Sequence, residues 1–122
     1  MDARSAHAQL QRAIERRHLP LAMAAARDCP ELALGDALAL TLLALESNPK
    51  LYDALAARWA ARWITEKKAD LAEGSLVVAA LQAIPGTDAR AGGFAILAVA
   101  RRRHERDVVR TLESWLRSPR AA

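Results

Sequence analysis

From Ala37 to Leu45 the chain reads ALALTLLAL, and a helix drawn through it shows leucine on nearly every side. Leu38, Leu40, Leu42, Leu43 and Leu45 leave no continuous polar stripe to face water. A helix that is apolar all round is a buried one, so this segment needs neighbours on more than one side. As a helix the run spans about 13 Å at 1.5 Å per residue. A bilayer core is about 30 Å thick, so the covering must be protein and not lipid.

The rest of the chain supplies helices to do the covering. Alanine is the commonest residue and leucine the next; Val and Ile are few, with one Tyr and one Phe. These propensities favour an all-α fold. Apolar residues recur at helical spacing in seven segments, near 5–17, 20–28, 35–47, 49–66, 71–84, 88–103 and 107–117. Between them lie short breakers: RRHLP, CPE, SNPK, KKAD, PGTD and RRRHER. Ser5, Asn48, Asp70, Thr87 or Asp88, and Asp107 are the expected N-caps, because a short polar side chain can accept a free first-turn N–H. DLAE at 70–73 resembles a capping box. Pro20 and Pro49 fit first-turn positions, where the missing N–H is not needed. Gly92-Gly93 inside the sixth segment implies close packing, or a helix that starts only near Phe94. The SPRAA stretch at 118–122 is expected to fray. Short loops imply antiparallel neighbours, so 122 residues form one compact domain of helical hairpins, as a closed bundle or a short open stack. The basic turn and short helix of ERRHLPLAMAAARD are faintly echoed in RRRHERDVVRTLES.

The stretch AARWAARWI at 56–64 sets Arg58-Trp59 four residues before Arg62-Trp63. On a helix Trp59 and Trp63 share a face with Tyr52, Leu55 and Ala56, while Arg58 and Arg62 form a stripe about 100° away. The tryptophans are therefore expected in the core. The arginine stems lie along its edge with their heads in water, as a candidate interface rim.

Residue patterns for chemistry are sparse. His7, His18 and His104 are isolated, and no HExxH or CxxC spacing offers a metal site. No GxSxG or phosphate-cradling glycine loop occurs. Cys29 is expected to be buried as a small hydrophobe. Capping and solvation account for Asp53, Glu66, Asp70 and Glu73. Neither cofactor nor metal is expected, and the chain does not read as an enzyme. A single cysteine allows no intramolecular disulfide, which suits a reducing cytoplasm. The N-terminal segment lacks the apolar run of a secretory signal.

Charge leaves one further line. Lys and Arg exceed Asp and Glu by 18 to 14, a net +4. The basic residues cluster at two helix ends: Arg16, Arg17 and His18, and Arg101, Arg102, Arg103, His104 and Arg106. Cations there complement the helix dipole. Brought together, the two groups would make a patch for phosphates or an acidic protein surface. Sequence-specific DNA reading is not expected. The best helix-turn-helix candidate, 67–84, would present LVVAALQA to the bases, where readout needs Arg, Lys, Asn or Gln.

LQRAIERRHLPLAMAAARDCPELALGDALALTLLALE and YDALAARWAARWI together resemble a recurring type of small Ala/Arg-rich protein from actinobacteria. That resemblance implies an all-helical domain and carries over no activity. The leading expectation is a non-enzymatic protein–protein interaction module that self-associates or docks a partner helix. An Arg-rich binder of nucleic acid or anions is the first alternative. An enzyme with a site scattered along the sequence is the second. No membrane contact is expected.

Overall fold

The computed structural model describes residues 3–118. Seven α-helices follow one another, with no strand among the described residues: α1 (Ala3–Glu15), α2 (Leu19–Arg27), α3 (Leu34–Ser47), α4 (Pro49–Lys67), α5 (Leu71–Ala83), α6 (Ala89–Arg102) and α7 (Arg106–Arg117). The expected tail falls outside the described residues except for Ser118.

Five of the helices close into a ring. Each of α3 to α7 packs on the next, and α7 returns to α3. Neighbours run antiparallel, as side-chain bonds at their ends show. Tyr52 at the start of α4 donates its hydroxyl to the Leu81 carbonyl late in α5 (2.5 Å), while Trp63 near the end of α4 bonds Glu73 early in α5. With five members, one neighbouring pair must be parallel, and it is α3–α7. There the Gly35 N–H donates to Asp107 Oδ2 (2.8 Å), and the Thr111 hydroxyl donates to the Gly35 carbonyl (3.0 Å).

All five helices fill the ring's core. Leu38, Trp59, Trp63, Val77, Ile96, Val108 and Leu112 are among the buried members. The α1–α2 hairpin lies outside the ring, against α3 and the start of α4. Its own smaller core joins Leu10, Ala13, Leu19, Ala22 and Ala25 to Leu40, Leu43 and Ala44 of α3. Helix α3 thus sends Leu34, Leu38 and Leu42 into one core and Leu40, Leu43 and Ala44 into the other. That is why leucine surrounds it.

Glycines permit the tightest approaches. A Cβ on Gly35 would stand 2.7 Å from the Asp107 backbone carbon, and one on Gly92 2.5 Å from the Ala80 carbonyl oxygen. Helix α6 begins at Ala89, so the glycine pair serves packing and does not delay the helix. Three hairpin turns end helices on left-handed residues that are not glycine: Arg17, Lys68 and His104. In each, the next residue's N–H reaches back five positions to a helix carbonyl, closing the terminal turn. The turns after α1 and α6 are alike residue for residue in backbone form, which gives the faint sequence echo a structural basis.

Several expected caps are corrected. Ser5 lies inside α1. Asn48 and Asp88 occupy N-cap positions but make no side-chain cap bond. Asp107 sits within α7 and caps α3, whose own N-cap position is Ala33 and has no side chain to bond with. His18, read as a patch residue, caps α2: its Nδ1 accepts from Leu21 N–H at 3.2 Å. Asp70 caps α5 as expected, accepting from the Glu73 N–H at 2.8 Å.

Candidate functional site

The tryptophans of AARWAARWI are core. Trp59 and Trp63 are 1% and 0% exposed, with ring centroids 5.4 Å apart and planes 25° from parallel. Each indole N–H has a partner, as burial requires. Trp59 donates to the Leu34 carbonyl (2.8 Å), tying α4 to the start of α3. Trp63 donates to Glu73 (3.0 Å). Arg58 is exposed, and Arg62 pairs along the helix with Glu66 at 2.7 Å. The two do flank the apolar face.

Glu73 is not the solvated residue its capping-box position suggests. It is 5% exposed and receives bonds from Trp63, from Arg103 Nε (3.0 and 3.2 Å) and from Arg102 (3.4 Å). Burial alone pushes its carboxyl up. The bonds from Arg103 and Trp63, the Arg103 charge and the bond from Arg102 outweigh that and hold it below the usual carboxylate range. Beside it Lys67 pairs with Glu105. Together they bind the α4–α5 turn to the α6–α7 turn. The sequence did carry a signal: Glu73 precedes Val77 by one helical turn and Ala80 by two, which places it on the buried face.

The two basic turns do not converge. Arg17 pairs with Glu46 near the end of α3, whereas the α6–α7 turn sits by Gly35 at its start. They stand about 16 Å apart along α3, at 1.5 Å per residue. Arg16 is exposed. Of the second cluster, Arg102 and Arg103 turn to Glu73. Arg101, His104 and Arg106 face a shared hollow.

A groove of about 620 Å³ runs between α1 and α7, floored by Ala39, Leu42 and Leu43 of α3. At one end Asp36 accepts from Gln11 (2.6 Å) and lies 3.4 Å from His7 Nδ1. Cys29, His7 and Asp36 also line a neighbouring hollow. The Cys29 thiol is half-buried and donates to the Ala25 carbonyl (3.4 Å). Burial, then the charges of Asp36 and Asp28, push its thiol up, which makes it a poor nucleophile. Among the described residues no group of three His, Cys, Asp or Glu is placed to hold a metal ion. None of the described helices is long and apolar enough to cross a membrane.

Four of the five exposed large hydrophobic residues among those described, Leu71, Leu76, Val78 and Phe94, lie on α5 and α6. The only charged residue of α5 is the buried Glu73. Its outer side shows Leu71 (87% exposed), Leu76 (44%) and Val78 (38%), with Ala72, Ser75, Ala79 and Gln82. Helix α6 adds Ala91, Phe94 and Ala98. The Arg90 guanidinium sits 5.5 Å from the Phe94 ring centroid and donates to the Leu116 carbonyl at 2.8 Å. This is LVVAALQA, the segment too apolar to read DNA. Comparison with protein-family models, curated proteins and solved structures returns no match to this chain, so function rests on these surfaces.

Proposed function

We propose that the protein is a non-enzymatic helical interaction module that pairs with a second copy of itself through the outer faces of α5 and α6. The observation that carries this is the absence of any charged side chain on the outward side of α5 in a chain of net charge +4. The net charge makes two copies repel overall, and contact through the uncharged side of α5 adds least to that repulsion. A large apolar patch at the surface favours association. Two antiparallel helices meeting their own copies about a two-fold axis give a self-complementary contact. Helix α5 is about 20 Å long and two adjacent helices are about 20 Å wide. The resulting footprint of roughly 400 Å² is small for a permanent dimer and fits a transient one.

The polar residues support a structural role over catalysis. Glu73, Asp107 and Asp36 each hold helices together, and the Cys29 thiol is suppressed. A lone thiol of this kind suits a reducing cytoplasm. Sedimentation equilibrium tests the proposal. The average mass should rise from 13.3 kDa toward twice that value, with a Kd on the order of 10–100 µM. Leu76→Arg and, separately, Ala79→Arg should each abolish the rise. A strict monomer at millimolar concentration, or a dimer indifferent to both substitutions, rules the α5–α6 contact out.

A further inference from the structure

The run RRRHER is divided by the fold. Arg103 turns to Glu73, the exposed Arg102 also reaches it with its guanidinium, and Glu105 pairs with Lys67. Arg101, His104 and Arg106 remain, and they line a hollow of about 540 Å³ beside the α6–α7 turn. Arg110 joins them from one helical turn beyond Arg106, and Val109 is the remaining lining residue. No carboxylate lines the hollow. Arg101 is steadied from outside by Glu113 (3.0 Å). Among the described residues, neither Arg106 nor Arg110 has an ion-pair partner.

We propose that this hollow is a binding site for a phosphoryl anion carried on a small molecule, such as a pyrophosphate group. Like charges around one concavity repel each other and focus a positive potential into it. A multivalent anion relieves that repulsion. Arginine's planar fork of donors matches phosphate oxygens in pairs, and Arg106 and Arg110 share one helix face at i, i+4 spacing. A small ligand is favoured over a nucleic-acid strand because no Phe, Tyr or Trp lines the hollow, and the single His104 ring gives no run of platforms for successive bases; Trp59 and Trp63 are buried in the core. The site stands independently of dimerisation, since it uses the α6–α7 turn and not the outer face of α5.

Isothermal titration of the full chain with sodium pyrophosphate at low ionic strength tests the site. Saturable binding at one site per chain is expected. Arg106→Gln/Arg110→Gln should weaken it about tenfold or more. Arg12→Gln/Arg27→Gln removes the same charge from exposed arginines elsewhere and should change it less than twofold. Thermal melts of both double variants should match the parent, because none of these four side chains is buried. No saturable binding overturns the proposal, and so does an equal loss in the two double variants. Binding of an oligouridylate in preference to pyrophosphate, weakened alike by both, also overturns it and points to diffuse attraction of a strand.

Discussion

Helices α3 and α5 are written in nearly the same way and end in different places. Both are apolar on all sides, LGDALALTLLALES and LAEGSLVVAALQA. Helix α3 is covered twice, by the ring on one side and by the α1–α2 hairpin on the other. Helix α5 is covered once; its second side meets no other helix among the described residues and keeps Leu71, Leu76 and Val78 at the surface. In α3 the chain itself supplies what an all-apolar helix requires. In α5 it does not, and a second copy supplying the missing cover is the simplest completion. The comparison also separates stability from association: apolar residues facing the hairpin hold the fold, and those on the outside of α5 do not.

The strongest way to break that contrast is to place a charge on each helix's second side. Leu43→Arg puts a cation into the hairpin core, where Leu43 is 1% exposed. It should cost about 4 kcal/mol or more, comparable to the whole stability of a small domain; a urea melt measures it. If Leu43→Arg melts like the parent, the hairpin core contributes nothing and α3 is not doubly covered.

The ion cluster at the turns should come next. Glu73→Gln removes the charge that Arg103 and Arg102 face. It should cost about 2–3 kcal/mol near neutral pH, at the low end for a broken buried pair because Arg103 is a third exposed and can turn to water. The pH dependence has a definite sign. A carboxyl whose folded pKa is lowered stabilises the fold above its unfolded value, near 4.5. That share is lost as pH falls through the folded value. Acid titration of the melting temperature should therefore fall more steeply below pH 4.5 in the parent than in Glu73→Gln. Parallel curves would mean that Glu73 titrates as if exposed.

Glycine substitutions sharpen the picture of the ring itself. In Gly92→Ala the new methyl meets the Ala80 carbonyl oxygen, which is backbone and cannot step aside. In Gly93→Ala it meets the Trp115 ring at 2.6 Å, a half-buried side chain that can move. The first should cost about 2 kcal/mol and the second about 1. A reversed order in chemical denaturation would show α6 seated against α7 more rigidly than against α5. The smallest stability effect belongs to Leu76→Arg, within about 0.5 kcal/mol of the parent, even as the proposed dimer is lost.

The helices were legible because each keeps a helical period between Pro, Gly or basic breakers, and the observed ends differ from the expected ones by two residues at most. Closure of the ring was not legible. It depends on Gly35 meeting Asp107, 72 positions apart, and Asp107 reads locally as the cap of its own helix. Glu73 was misassigned for a similar reason: its place after Asp70 suggested a local bond, while Trp63 and two arginines from a distant turn claimed its side chain. The basic run was visible, but its division between Glu73 and the hollow was not, since that is decided by tertiary partners. The apolar character of LVVAALQA was plain from the start. Which side of α5 would stay uncovered became clear only once the ring placed Val77, Ala80 and Leu81 inward.

Dilution of the labelled protein from millimolar to low-micromolar concentration, followed amide by amide in two-dimensional NMR, tests the α5–α6 interface most directly. Self-association there predicts that resonances of Leu76, Val78, Ala79 and Phe94 shift together along one binding curve, while those of α1 and α2 stay fixed. Resonances that do not move with concentration, or shifts confined to the α1–α2 hairpin, would contradict it.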